Sequence, residues 1–161
     1  MKPALMSAVA LAFLAGCASQ DMPRSSSPVS KEHTETCKAT TKAEIAALFQ
    51  DWNNALQSGD PQQVVNLYAD GSILLPTVSN QPRLSAVEKA DYFEHFMQNG
   101  PSGSIDLSSI ELGCNMAVDA GLYSFAFART DAVVRGRYSF SYRWDGTKWQ
   151  ITSHHSSRMP E

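Results

Sequence analysis

The side chains best suited to chemistry gather in the last third of this 161-residue chain. Arg137 to Arg143 alternates strictly, so in a strand Arg137, Ser139, Ser141 and Arg143 share one face and Tyr138, Phe140 and Tyr142 the other. A guanidinium on the polar face can fork onto an anion, which makes Arg137 a candidate ligand; a solvated face or an intersubunit ion pair is the plainer use. His154 and His155 point to opposite faces of the last strand, so at most one of them enters any one cavity. An imidazole beside aromatic residues is more often a hydrogen-bonded core group than a catalyst. Tyr68, Tyr92 and Trp52 sit on apolar helical stripes and read as core, with the tyrosine hydroxyls as possible cavity groups. Asp70 and Asp119 are available acids outside helix ends and the Asp145 turn. Asp70 precedes Gly71 and Asp119 precedes Ala120-Gly121, so both read as turn residues without a donor partner. No HxH or HxxxH spacing gathers three or four ligands, and no metal centre is expected.

The three cysteines divide into two groups. Cys17 ends Leu14-Ala15-Gly16-Cys17, after an apolar run from Leu5 that is too short to span a bilayer of roughly 30 Å. The run reads as an export signal, and its end is similar to the bacterial lipoprotein box. Residues 1–16 are thus expected to be a lipoprotein signal peptide and Cys17 the lipidated N-terminus; an ordinary secretory signal is the alternative. Residues 17–36 are rich in Ser, Pro, Thr and charge and read as a tether, since they lack apolar area to offset their ordering entropy. Ala18 follows Cys17, which in a Gram-negative host implies an outer-membrane lipoprotein facing the periplasm. In an oxidising compartment the remaining pair, Cys37 and Cys114, invites a disulfide; two buried thiols are the alternative.

Residues 37–161 carry the folded domain. Apolar residues make up 43% of the chain, enough for a core, and a net charge of −3 without a Lys/Arg cluster argues against a nucleic-acid partner. Thr41-Lys42-Ala43-Glu44 fits a capping box, and Ile45, Leu48, Phe49, Trp52 and Leu56 form one helical stripe that stops at Ser58-Gly59. Asp60-Pro61 restarts a short helix whose buried side holds Val64, Val65, Leu67 and Tyr68. Ser72 to Leu75 is a short strand. Ser85 to Glu88 is a second capping box, opening a helix with Tyr92, Phe93, Phe96 and Met97. The pattern then turns extended: Ile105–Leu112, Gly121–Ala128, Ala132–Trp144 and Lys148–Ser156 are strand-length, with Asp145-Gly146 marking a hairpin. Helices first and a meander after make an α+β domain in which one curved, mainly antiparallel sheet packs on a helical layer.

Several segments resemble the association (hub) domain of calcium/calmodulin-dependent protein kinase II and, more closely, its stand-alone bacterial relatives in the cone-shaped nuclear-transport-factor-2-like (NTF2-like, SnoaL-like) superfamily. They are Ala55-Leu56-Gln57-Ser58-Gly59-Asp60, Asp91 to Phe96, and Arg143 to Ile151 leading into His154-His155-Ser156-Ser157. Leu74 to Thr77, Gly113-Cys114-Asn115 and the closing Met159-Pro160-Glu161 match the bacterial form. The resemblance covers about residues 40 to 159 and implies a cone with an interior pocket that accepts small carboxylates. Aligned through Asp145-Gly146, one hub arginine falls on Ser139 and another on Ser156, leaving Arg137 one pleat away as a replacement. The expected ligand-binding set is Arg137, Tyr92, Tyr68, Asn115 and His155.

Kinase chemistry has no residues to carry it, since the Gly-rich loop and the VAIK, HRD and DFG segments are missing from the sequence. There is no GxGxxG or CxxC either, and no cofactor is expected. The leading expectation is a lipoprotein whose domain binds a small molecule, an anion included, and associates with itself. A cofactor-independent isomerase or dehydratase using the same pocket, and a purely structural oligomerisation module, are the alternatives. Calmodulin is not an expected partner, because helix Lys42 to Gln57 has one lysine beside two acids.

Overall fold

The computed structural model describes residues 36–160. The expected signal peptide, the lipidation site Cys17 and all but the last residue of the tether lie outside the described residues. In chain order the elements are α1 (Lys42–Gln57), α2 (Pro61–Val65), β1 (Tyr68–Leu75), α3 (Ala86–Met97), β2 (Pro101–Gly113), β3 (Met116–Phe127), β4 (Ala132–Trp144) and β5 (Trp149–Arg158).

The helix starts follow the side-chain chemistry of their caps. Ser85 accepts from the Glu88 amide at 3.2 Å, and Glu88 returns to the Ser85 amide at 2.7 Å, completing a capping box at α3. At α1 only half of the expected box forms. Thr41 accepts from the Glu44 amide at 3.1 Å, but the Glu44 carboxylate turns to the Thr40 hydroxyl (2.7 Å), the Trp149 indole N–H (3.1 Å) and Lys38 (2.8 Å). It ties the helix start to the last strand instead. These bonds, that to Lys38 first, hold the carboxyl down at about 2.

The strands form one mixed sheet in the order β1-β5-β4-β3-β2. β2 to β5 are the expected antiparallel meander. β1 joins it parallel to β5. The Leu67 carbonyl accepts from the Ile151 amide at 2.8 Å, which draws the chain into strand pairing directly after α2. Tyr68 therefore opens β1 instead of closing the second helix. The register slips between Tyr68 and Ile73, around Gly71 at φ 72°. Gly121 faces the bulge of β2 between Ile105 and Leu107, where a Cβ would collide with the Leu107 carbonyl.

The core lies between the helices and the sheet face carrying Tyr123, Phe125, Tyr138, Phe140 and Tyr142, all buried. Strand register sets Ile110, Asp119, Phe140, His154 and Leu74 in a row across this inner face. From α1, Phe49 meets Tyr123, Tyr138 and Phe140, while Trp52 packs edge-on to Phe125, Phe140 and His154. Asp119 is not a turn residue. It lies within β3, 1% exposed, and accepts from the Ser108 hydroxyl (2.6 Å) and the Tyr138 hydroxyl (3.0 Å), which satisfies a carboxylate that burial would otherwise penalise. Cys37 and Cys114 are joined as a disulfide across 77 positions. Beside it Asn115 accepts from the Lys38 amide at 2.8 Å and donates to the Thr36 carbonyl at 3.1 Å, so the segment before α1 is fastened to the β2–β3 turn.

Candidate functional site

A cavity of about 220 Å³ opens on the inner face, between α3 and the ends of β1, β3, β4 and β5. Its walls are mainly aromatic: Trp52 from α1, Tyr92, Phe93 and Phe96 from α3, and Phe125 and Phe127 from β3. On α3, Phe93 and Tyr92 lie three and four residues before Phe96 and so share its side of the helix, and the period-two spacing of β3 does the same for Tyr123, Phe125 and Phe127. Gly136 leaves the space that the Tyr123 ring occupies, since a Cβ there would lie 2.6 Å from it.

The polar groups in the wall come from three strands. Ser156 of β5 hydrogen-bonds Tyr123 of β3 on one side and Thr77, just past β1, on the other. Arg135 and Arg158 contribute at the exposed edge. Among the described residues no carboxylate lines this cavity. Asp119, the buried acid, borders a separate opening with Phe49 and Ser108.

His154 is 3% exposed in the wall, stacked on Phe140 at a centroid distance of 4.0 Å. Its Nδ1 lies 2.7 Å from the Tyr68 hydroxyl, which in turn accepts from the Trp52 indole N–H at 3.3 Å. Nε2 is buried with no hydrogen-bond partner among the described residues. Burial, with a smaller contribution from His155, pulls the imidazole down to about 3, so it is neutral at physiological pH. Burial also raises the Tyr68, Tyr92 and Tyr123 hydroxyls above their ordinary value, so they stay protonated.

Of the five expected ligand residues, Tyr92 alone lines the cavity. Tyr68 stands behind the wall, its hydroxyl held by Trp52 and His154. Arg137 and His155 lie exposed on the outer face, because the sheet turns its aromatic side to the helices and its Ser/Arg side out. The histidine that faces inward is His154. Asn115, at the β2–β3 turn with φ 56°, has its side chain committed to Lys38 and Thr36. The residues missed were His154, Thr77, Tyr123 and Ser156. The signal for three of them was available: His154 and Ser156 share the inward parity of β5, as Tyr123 shares that of β3 with Phe125.

The family described as "Calcium/calmodulin dependent protein kinase II association domain" matches residues 41–160. A candidate domain of that kind from Xanthomonas campestris, solved by crystallography, is 43% identical over 79% of this chain and 97% of its own, with a TM-score of 0.72. More distant structures share the fold. An NTF2-like protein of unknown function from Pseudomonas putida is 16% identical over 78% of this chain and 92% of its own (TM-score 0.67). A candidate dehydratase of the NTF2-like family from Streptomyces avermitilis is 12% identical over 74% and 96% (TM-score 0.66). No match was found among curated proteins. With the matched family spanning nearly all of the folded residues and the α+β architecture in agreement, the chain belongs to the calcium/calmodulin-dependent protein kinase II association-domain family.

Proposed function

We propose that this protein is an envelope lipoprotein whose domain binds a small, largely apolar molecule in the aromatic cavity and associates with itself through the outer face of the sheet. The observation that carries the binding reading is the cavity itself: space of about 220 Å³ walled by aromatic rings, with a few polar groups converging on it. A domain that needed only to be solid would gain by filling such space, since each missing methylene of packing costs about 1 kcal/mol.

Self-association is supported by family membership and by the outer face. Leu107, Met116 and Val118 stand there 57%, 56% and 38% exposed on neighbouring strands, with Glu111 opposite Val118 and Arg143 opposite Met116 in register. The anion-binding expectation moves with the geometry. Arg137 belongs to the outer face, whereas Arg158, two residues past Ser156 on the inward parity of β5, lies at the exposed edge of the cavity. The envelope location rests on the leader sequence and is supported by the Cys37–Cys114 disulfide, which forms and persists in oxidising compartments.

Native mass spectrometry of the exported, gently purified protein tests both halves. The expected result is an oligomer whose subunit mass exceeds the mature, lipidated mass only in the native spectrum, and a monomer for Val118→Lys. A wild-type monomer overturns the self-association reading. A clean oligomer without adduct, together with failure of small arenes to bind, overturns the cavity reading and leaves a structural module.

A further inference from the structure

A second opening, of about 330 Å³, lies between α1 and the stretch of β2 that carries the bulge. Phe49 and Gln50 border it from the helix, Ser104, Ile105 and Ser108 from the strand, and Asp119 of β3 from beneath. The Gly103 amide donates to the Asn53 side chain at 2.8 Å, which holds the strand against the helix at one end.

The two hydroxyl bonds of Asp119 fall on the same oxygen. Ser108 (2.6 Å) and Tyr138 (3.0 Å) both donate to Oδ1, and Tyr138 is nearer to it than to the Leu107 carbonyl (3.4 Å). Oδ2 receives no hydrogen bond among the described residues, yet it is not one of the enclosed polar atoms left without a partner. It is therefore the edge of the carboxylate that meets the opening. No ion pair among the described residues includes Asp119, and no cation stands among the residues that border the opening. Hydroxyls supply a buried carboxylate with hydrogen bonds but not with opposite charge, and the charge is the more costly part to take out of water.

The partner that Oδ2 lacks must donate a hydrogen bond and carry positive charge, since such a bond is roughly twice as strong as a neutral one. A calcium ion gathers about six to eight oxygens, often from several carboxylates, whereas this opening offers one carboxylate beside the neutral oxygens of Gln50, Ser104 and Ser108. An organic monocation needs only the one. The ring of Phe49 and the side chain of Ile105 give its carbon skeleton an apolar wall.

We propose that this opening binds a small aliphatic primary amine as its ammonium ion, one N–H of which donates to Asp119 Oδ2 while the alkyl chain lies along Phe49 and Ile105. Ser108 and Tyr138 hold Oδ1 and leave Oδ2 to the ligand. The site is separate from the aromatic cavity and does not depend on a ligand there.

The test uses the full purified chain at low ionic strength and four probes: n-butylammonium, 1-butanol, tetramethylammonium and calcium, each titrated by amide chemical-shift NMR. n-Butylammonium is expected to bind at least about tenfold more tightly than 1-butanol, the effect of one charge-assisted hydrogen bond. Its largest shifts should fall at Gln50, Ser104, Ser108 and Asp119. Tetramethylammonium, which has the charge but no N–H, should bind no better than the alcohol. Asp119→Asn keeps the shape and the oxygen that Ser108 and Tyr138 hold. It should bring n-butylammonium down to the level of 1-butanol, whose own affinity should not change. Equal binding of amine and alcohol by the wild type overturns the proposal whether or not the variant folds. So does tetramethylammonium binding as tightly as the primary amine, calcium binding more tightly, or amine-induced shifts confined to the aromatic cavity.

Discussion

His154 and His155 are consecutive on β5 and have opposite environments. His154 is 3% exposed, stacked on Phe140 and hydrogen-bonded through Nδ1 to Tyr68; His155 stands open on the outer face, opposite Ser139 in register. The same division runs along β4, where Tyr138, Phe140 and Tyr142 are buried while Arg137 and Arg143 are exposed. One strand pitch separates a surface built for enclosure from one built for water or a partner. Apolar area decides the sense of the division: the buried rings of Tyr123 and Phe125 on β3 and of Tyr138, Phe140 and Tyr142 on β4 outweigh anything the Ser/Arg side could gain inside. Function divides in the same way, with the ligand question belonging to the inner face and assembly to the outer one.

The largest contrast should appear in stability. Phe140, fully buried and in contact with Phe49, Trp52, Tyr138, Tyr142 and His154, is expected to lose about 3–5 kcal/mol as Phe140→Ala in urea denaturation. Its neighbour Ser139→Ala should stay within about 0.5 kcal/mol. Comparable losses at the two positions would break the two-face description.

A smaller effect is expected from acid. The imidazole of His154 is held from 6.5 down to about 3, so between these values the unfolded chain binds a proton that the folded chain refuses. Its contribution to stability is complete above pH 6.5 and is lost as pH falls towards 3, at up to about 1.4 kcal/mol per pH unit. Glu44 and Asp145, both held to about 2, lose their contributions in acid as well, but only below the ordinary carboxylate range. Stability measured from pH 6.5 to 4.5 therefore isolates the histidine. His154→Phe should flatten that slope, and an unchanged slope would show that the imidazole does not refuse the proton.

The smallest effect sharpens the comparison from the other side. His155→Ala should shift stability by less than about 0.5 kcal/mol and leave the acid slope as it is, read from the same denaturation series.

Much of this fold was legible from side-chain pattern. Thr41, Asp60 and Ser85 cap the helices that their types announce, and the strict alternation of β4 was visible residue by residue. The parallel joining of β1 to β5 was not, because it depends on a pairing between residues some eighty positions apart that leaves no local mark. The site was less legible than the fold. Alternation defines two faces without saying which one the helices cover, and taking the polar face of β4 as the lining placed Arg137 and His155 in a cavity they do not reach. Asp119 misled for a related reason. Its short polar side chain beside Ala120-Gly121 looks like a turn locally, and only the approach of Ser108 and Tyr138 from neighbouring strands makes a buried carboxylate tolerable there.

The bond between Cys37 and Cys114 also decides how the domain bears a mechanical load. A pull applied to the chain before Cys37 enters the sheet at Cys114, bypassing α1, α2, β1, α3 and β2, which all lie inside the covalent loop. Those elements can loosen but cannot be drawn out between the two ends of the chain. Some 77 residues, roughly 260 Å of contour at about 3.4 Å each, are withheld from extension, and only β3, β4 and β5 can pay out under tension.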